Sequence, residues 1–304
     1  MGWTPTGESL RGPAGPPGGV DGPIATPWLD LEEQAAPDAP AAGTLRTFAG
    51  TVAGRLLLNQ RGPSGLRTVL QPALFENFFW LVSPNQTTTV SAIGNNVTSV
   101  GTLSHPAVHP AYGWMTNFAS AATAGATAGT GNRDLIWRRG DGTGFGGFFF
   151  SARLALPDGS YDESGAGSGT RIFCGLTNQT LAASVAADTP AGHFCGFLRR
   201  SVNGGAIDLN WQFAVRDNLT MALQDTGLLF EPQRPLDFQI FLAPHGGTIS
   251  WAITDLLTGQ RVEGSQGDNL PGATVLLRAG FQLATVNALA RHIRMQRLYG
   301  ESDR

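Results

Sequence analysis

The sequence predicts an all-β fold, built as an antiparallel β-sandwich of jelly-roll or lectin-like type. The first observation is a period of two, because apolar and polar residues alternate over several short segments in the second half of the chain. Strands with one buried face show this alternation. The second is that Gly, Pro, Asp and Asn separate these segments, which is typical of turns. The third is composition: Gly accounts for 41 of 304 residues and charged residues for only 14%, roughly half of the usual quarter.

Four segments show the alternation most clearly, since every second residue in them is apolar. They are 148–156, 207–215, 236–242 and 249–253. Shorter strands are predicted around 172–176, 194–198, 275–283 and 289–299. No long helical pattern lies between them, so about eight strands between 133 and 304 fit a sandwich of two sheets.

Three regions are predicted along the chain. Residues 1–44 form an extended Pro/Gly-rich segment, residues 45–131 a smaller β-rich shoulder with one short helix, and residues 132–304 the sandwich. The helix is predicted over 45–58, where apolar residues recur at spacings of three and four. Strands are predicted on both sides of the turn at Gly94.

Two further stretches of the shoulder carry weaker patterns. Residues 62–65 read Gly-Pro-Ser-Gly and predict a turn. Residues 118–131 are mostly small and predict either a loop or a strand that its neighbours approach closely.

The N-terminal segment contains a short collagen-like tract. Gly12, Gly15 and Gly18 recur every third residue with Pro and Ala between them, and only Gly fits at the axis of a collagen triple helix. At about 3 Å per residue the tract is too short to hold three chains together unaided. A plain Pro/Gly linker is the alternative, and the triplets alone leave the choice open.

Charge and composition exclude several classes of function. The net charge is −3 and the pI is about 5.9, so neither nucleic acid nor an anionic membrane is expected as a partner. All 20 basic residues are Arg, which excludes a mechanism that needs a Schiff-base or P-loop lysine. Cys174 and Cys195 lack metal-binding spacing, and we expect them to be buried, free thiols.

The sequence contains no recognisable catalytic constellation, and we predict no enzyme, cofactor or metal. Asp158, Asp162 and Glu163 share a Gly/Ser-rich loop, where carboxylates could bind Ca²⁺ or act as a glycosidase pair. Their spacing matches no EF-hand loop, so a solvated hairpin tip is the favoured interpretation. The glycine tract 139–147 runs into a strand rather than a helix, which favours close backbone packing over phosphate binding.

Aromatic side chains provide the candidate ligand-binding residues, because sugars are bound largely by stacking on aromatic rings and by planar polar groups. Trp211 and Trp251 lie on the apolar side of their strands and are predicted to belong to the core. Aromatic residues on turns or off the core-facing side, together with two nearby carboxylates, are the candidates for sugar binding: Phe145, Tyr161, Phe197, Phe241, Asp158 and Asp162.

Several segments together resemble the collagen-containing tail fibre proteins of tailed bacteriophages. The resemblance rests on GPAGPPG from Gly12, GPSGLRTVLQPALFENFFW from Gly62, TTTVSAIGNNVTSVGT from Thr87, GFGGFFFSARLAL from Gly144 and the C-terminal RLYGES. It covers most of residues 60–304, and none of these motifs is catalytic. The collagen tract is much shorter than in typical members, so the globular part would have to support trimerisation.

The resemblance implies a homotrimeric tail component of the virion, assembled in the host cytoplasm. Its N-terminal segment would dock on tail or baseplate proteins, and its sandwich would bind a polysaccharide of the bacterial surface. Gly12, Gly15 and Gly18 would support the trimer. Two alternatives remain open from the sequence: a polysaccharide-degrading β-sandwich enzyme of the virion, and a head or tail decoration with no receptor role.

Overall fold

Two large antiparallel sheets pack face to face, and a third, small sheet lies beside them. A computed structural model describes residues 31–63, 65, 67–69, 78–84, 90–104, 113–142, 146–156, 169–201 and 208–302. The N-terminal collagen-like tract, with Gly12, Gly15 and Gly18, lies outside the described residues. The predicted all-β class and antiparallel sandwich are confirmed.

The nine-stranded sheet has the order β17-β16-β15-β10-β19-β4-β5, and β8, which pairs with β7, shares one edge of β19 with β4. Its strands are β4 (Phe78–Pro84), β5 (Val90–Ile93), β7 (Thr102–Ser104), β8 (Thr116–Ala119), β10 (Phe148–Ala155), β15 (Pro235–Leu242), β16 (Ile249–Asp255), β17 (Arg261–Gln266) and β19 (His292–Ser302).

The seven-stranded sheet has the order β14-β13-β12-β11-β18-β9-β6. Its strands are β6 (Val97–Val100), β9 (Thr127–Asn132), β11 (Thr170–Thr177), β12 (His193–Arg199), β13 (Asn210–Asp217), β14 (Met221–Leu229) and β18 (Arg278–Thr285). The small sheet contains β1 (Arg46–Val52), β2 (Arg55–Arg61) and β3 (Arg67–Val69). A 3₁₀ segment spans Ala182–Val185.

Alternation along the strands decides which side chains fill the interior. In β15, Leu236, Phe238 and Ile240 point into the interior between the large sheets, while Asp237 and Gln239 lie on the outer face. The predicted alternation is therefore confirmed for this strand, as it is for β10 and β16. In β13 the alternating run begins later than predicted, because the strand starts at Asn210 and the side chain of Leu209 is 74% exposed.

A β-bulge in β19 preserves this pattern over an eleven-residue strand. Arg153 pairs with Arg297 and Leu154 pairs with Met295, so Gln296 is the extra residue. Met295 and Leu298 are both buried in the interior, three positions apart rather than two. The extra residue therefore shifts the phase of the strand and leaves Gln296 and Arg297 together on its accessible side.

The helix predicted over 45–58 is wrong, because this segment forms the β1–β2 hairpin. Ala53 and Gly54 connect the strands in a two-residue turn with positive φ at both positions, 48° and 76°. Such turns favour hairpins because their twist matches that of the strands. The apolar spacing of three and four arose from residues on both faces of two short strands.

The predicted boundary at residue 131 does not separate two structural units. Strands β4 to β9, within residues 78–132, pair inside the two large sheets. The turn at Gly94 joins strands, as predicted, but β5 and β6 belong to opposite sheets, so the turn carries the chain across the sandwich. The small-residue stretch 118–131 includes the end of β8 and most of β9, and β9 confirms the prediction of a closely approached strand.

The small sheet packs on the outer face of the nine-stranded sheet. A Cβ atom on Gly54 would lie 2.5 Å from the Oγ of Ser250 in β16 and 3.8 Å from the ring of Phe241 in β15. The tip of the hairpin is therefore pressed against this face, and only Gly leaves room for the contact.

The outer face of the seven-stranded sheet carries a row of very small residues. Gly131, Gly280, Gly175, Gly196 and Ala214 are paired in register across five neighbouring strands. Added Cβ atoms on Gly131 and Gly280 would meet a methyl carbon of Leu181 at 2.5 and 2.9 Å. Because these residues have small or no side chains, the row forms a shallow depression in the outer face, and the residues around the 3₁₀ segment pack into it.

We predict that Gly175→Ala destabilises the protein. The new Cβ would lie 2.4 Å from the carbonyl oxygen of Cys195 and 2.5 Å from the Cα of Gly196, so strands β11 and β12 must separate. Chemical denaturation should show a loss of about 1–3 kcal/mol in the free energy of unfolding. The control is Gly247→Ala, whose Cβ would meet no atom within 4 Å. Equal stability of the two variants would contradict this account.

Candidate functional site

A groove on the outer face of the seven-stranded sheet is a candidate site in the described part of the chain. Its floor is a row of three residues in register: Thr127 on β9, Ala284 on β18 and Arg171 on β11. Its wall is the 3₁₀ segment and the residue after it, and the groove encloses about 430 Å³. This volume lies in the usual range for small-molecule sites. The complete lining is Gly125, Thr127, Arg171, Ala182, Ala183, Val185, Ala186 and Ala284.

The wall of the groove is anchored by its own apolar side chains. Leu181 and Val185 are buried in a cluster with Phe173, Phe194 and Ala284 of the sheet. The hydroxyl of Ser184 donates to the carbonyl oxygen of Leu181 at 2.6 Å, which tightens the turn. Since alanines provide most of the remaining wall, the groove presents methyl groups and backbone rather than long side chains.

The polar side of the groove is Arg171, which forms an ion pair with Asp188 in the segment after the wall. The Nε of Arg171 donates to Oδ1 of Asp188 at 3.1 Å, and Nη1 donates to the carbonyl oxygen of Ala186 at 3.2 Å. The two side chains are 19% and 23% exposed. One bond to the wall at Ala186 and one to Asp188 beyond it hold the guanidinium in one orientation, and both side chains of the pair are partly exposed. A fixed pair of this kind can donate to one hydroxyl and accept from its neighbour.

A buried amide lies two residues from the floor on the same face of β18. Gln282 is 1% exposed, and its Nε2 has no hydrogen-bond partner among the residues that the structure describes. It is paired in register with Gly129 and Phe173. A buried donor without a hydrogen-bond partner lowers the free energy of unfolding. This part of the sheet's outer face therefore contributes less to stability than it would with the donor paired.

The sequence-predicted binding residues do not come together at this groove. Phe145, Tyr161, Asp158 and Asp162, as well as Glu163, lie outside the described residues. Phe241 is half-buried on the outer face of the nine-stranded sheet, where Gly54 approaches its ring.

The expectation of an exposed ring at Phe197 is wrong, because this side chain is fully buried in the interior. Strand β12 is apolar on both faces, since Phe194 and Leu198 pack against the 3₁₀ segment on the outside. Alternation therefore could not show which side was internal. Trp211 and Trp251 are buried in the interior, as predicted.

Sequence reasoning missed Arg171 and Asp188. Arg171 precedes the apolar run of β11 and has the same parity as Phe173, so its outward position is visible only once the inner face is known. Asp188 lies in an irregular segment between the 3₁₀ turn and β12. Their ion pair depends on how that segment folds back, and no local pattern encodes this.

The two cysteines are free and buried, as expected. Both side chains belong to the interior between the sheets, and burial raises the pKa of each thiol. A thiolate nucleophile is therefore disfavoured at either position.

Among the described residues, no group of three or more His, Cys, Asp or Glu side chains is placed to hold a metal ion. Within the same residues, none of the helical segments has the length and apolar character of a membrane span.

Comparison with known proteins yields similarity of structure and none of sequence. No protein-family model matches the chain, and no curated protein matches it. Among solved structures, a protein of unknown function from Shewanella oneidensis MR-1 has a TM-score of 0.50 at 10% identity. The match covers 77% of this chain and 90% of the Shewanella chain.

Two plant lectins have TM-scores of 0.48. Peanut lectin is 14% identical and basic winged bean lectin 9% identical, and each match covers 75% of this chain and 98% of the lectin. The likeness to the Shewanella protein is one of fold alone.

We predict that neither thiol of the native protein reacts with a thiol reagent near neutral pH, whereas both react after unfolding. Both thiols stay protonated in the native state, whereas in the unfolded state they ionise above about pH 8.5. The free energy of unfolding should therefore fall as the pH rises beyond that value. A thiol count and unfolding curves over alkaline pH test both points. In a Cys174→Ala/Cys195→Ala control the alkaline loss should be smaller. Rapid reaction of the native thiols would contradict the burial.

Proposed function

We propose that this chain is a non-enzymatic glycan-binding protein and that the groove on its seven-stranded sheet is the saccharide site. One observation carries the proposal: an open groove of about 430 Å³ places a wall of alanine methyl groups beside the fixed Arg171–Asp188 pair. A sugar ring has an apolar face of C–H groups and an edge of paired hydroxyls. The alanine methyl groups of the wall would contact the apolar face of the sugar, and the guanidinium of Arg171 and the carboxylate of Asp188 would bind the hydroxyls.

The wider role that we propose is host attachment by a bacteriophage tail fibre. The support is the sequence resemblance carried by the Gly-Pro tract from Gly12 and by the segments from Gly62, Thr87 and Gly144. In this proposal the chain is a homotrimer in the tail of the virion and binds a bacterial surface polysaccharide. Three weak sites on one fibre, and several fibres on one particle, would raise the effective affinity without a tight single contact.

We predict that Arg171→Ala and Ala183→Phe each weaken saccharide binding. The first removes the charged donor, and the second narrows the groove. The parent protein should bind members of an array of bacterial surface saccharides without cleaving them. Arg171→Ala should reduce that binding about tenfold or more, the loss expected when a hydrogen bond to a charged group is removed, and Ala183→Phe should reduce it because the phenyl ring occupies part of the groove.

The matched control for this test is Arg261→Ala, because Arg261 also forms a surface ion pair, with Glu263, but lies on the other large sheet. It should bind as the parent does. Unchanged binding by both groove variants would refute the groove as the site. Cleavage of the saccharide, lost on substitution of Asp158, Asp162 or Glu163, would favour the enzyme instead.

We predict that the full-length chain is a trimer with a native mass close to three times 31.9 kDa, measured by light scattering. The purified trimer should adsorb to host cells and compete with the phage for them. A monomer would contradict the fibre proposal and make the Gly triplets a linker. A trimer that mounts on particles but adsorbs to no cell would identify a decoration without a receptor role.

A further inference from the structure

A cluster of arginines occupies the outer face of the nine-stranded sheet, on the opposite side of the sandwich from the groove. Asp237, Arg153 and Arg297 are in register on the neighbouring strands β15, β10 and β19. The Nε and Nη2 atoms of Arg153 donate to the two carboxylate oxygens of Asp237, each at 2.6 Å. The Nη2 of Arg297 lies 3.6 Å from the same carboxylate. One buried carboxylate is therefore shared by two guanidinium groups.

Arg294 adds a third positive charge to this face. It lies three residues before Arg297 on β19, with Ile293 and Met295 on either side of it pointing into the interior. Arg153 and Arg297 share the carboxylate of Asp237, and Arg294 lies on the same face with no ion-pair partner among the described residues, whereas the whole chain has a net charge of −3. The described part of the chain places no second acidic side chain within ion-pair distance of these arginines.

The hydrogen-bonding capacity of the cluster is incompletely used. The Nε atoms of Arg294 and Arg297 are buried and have no hydrogen-bond partner among the described residues, yet the side chain of Arg297 is 43% exposed. Burial lowers the pKa of Arg297; the carboxylate of Asp237 opposes this, and the charge of Arg153 adds to it. This face therefore carries more guanidinium donors than the single carboxylate of Asp237 accepts.

Amide side chains flank the arginines. The Oε1 of Gln296, the bulge residue, accepts from Nη1 of Arg153 at 3.1 Å. Asn117 lies opposite Arg294 in register. Amides beside guanidinium groups provide partners for hydroxyls next to an anionic group.

We propose that this arginine cluster is a second binding site, which takes the carboxylate, phosphate or sulfate groups of an acidic polysaccharide. Guanidinium groups bind such oxygens in paired hydrogen bonds, and the flanking amides suit neighbouring hydroxyls. A nucleic acid is disfavoured because its binding needs an extended basic surface, which a chain of net charge −3 with three clustered arginines does not offer. The site is independent of the groove, since the two lie on opposite outer faces.

The test measures binding of the full-length chain to polygalacturonate by calorimetry at low ionic strength. Neutral dextran, inorganic phosphate and a single-stranded oligonucleotide serve as comparison ligands. Polygalacturonate should bind, dextran should not, and phosphate should compete only at about millimolar concentration. At about 1 M salt, where the screening length is about 3 Å, binding should be largely lost.

The decisive variant is Arg294→Gln/Arg297→Gln, which leaves the Arg153–Asp237 pair intact. It should weaken polygalacturonate binding about tenfold, while its thermal unfolding temperature stays close to that of the parent. Arg261→Gln is the matched control, because it removes an arginine from the same face outside the cluster, and it should bind as the parent does. If the double variant fails to fold, Arg294→Gln alone should still weaken binding about threefold.

Three results would overturn the proposal: no binding of polygalacturonate by the parent, equal binding by the double variant, or tighter binding of the oligonucleotide than of the polysaccharide. Arg171→Ala should leave this binding unchanged, so the groove and the cluster can fail separately.

Discussion

The apolar interior between the two large sheets is the constraint on which the rest of the structure depends. Its centre is a group of aromatic rings, in which Phe197 lies 5.0 Å from Phe238 and 5.2 Å from Phe213, measured between ring centroids. Trp211 and Trp251 close the group at 4.9 and 5.5 Å from Phe238 and Phe213. Offset and edge-to-face contacts of this kind are favourable beyond the area that they bury. Strands of both large sheets present one face to the interior that these rings occupy, and this requirement constrains the register of both sheets.

What covers the outer faces then decides where ligands can bind. The 3₁₀ segment covers one part of the seven-stranded sheet, because the row of glycines leaves space for the side chain of Leu181. The hairpin of the small sheet covers part of the nine-stranded sheet through Gly54. Among the described residues, the groove beside Arg171 and the arginine cluster around Arg153 are two polar areas that these coverings leave partly exposed. Both candidate sites are therefore consequences of incomplete coverage, and neither is built into the interior.

The bulge at Gln296 illustrates how one local irregularity serves both packing and surface chemistry. If the same residues formed a regular strand with no bulge, the inward positions Ile293 and Met295 would be followed by Arg297 in the interior. The bulge places Leu298 there instead and turns Arg297 outward to Asp237. A strand of eleven residues with mixed character is thus made consistent with one buried face.

The sequence by itself determined the all-β class, the strands with clean alternation, the internal positions of Trp211 and Trp251 and the buried cysteines. These features follow from local periodicity, which a single strand displays whatever its neighbours are. Periodicity failed at 45–58, where two short strands together imitated a helical spacing, and at β12, where both faces are apolar because both are covered.

Only the tertiary structure decided that β5 and β6 belong to opposite sheets, that Phe197 is internal, and that Arg171 meets Asp188 while Arg153 and Arg297 share Asp237. The physical reason is that each of these features depends on how separate strands and loops pack against one another, and no single strand encodes that packing. Their side chains meet only after the common interior has fixed the register of both sheets.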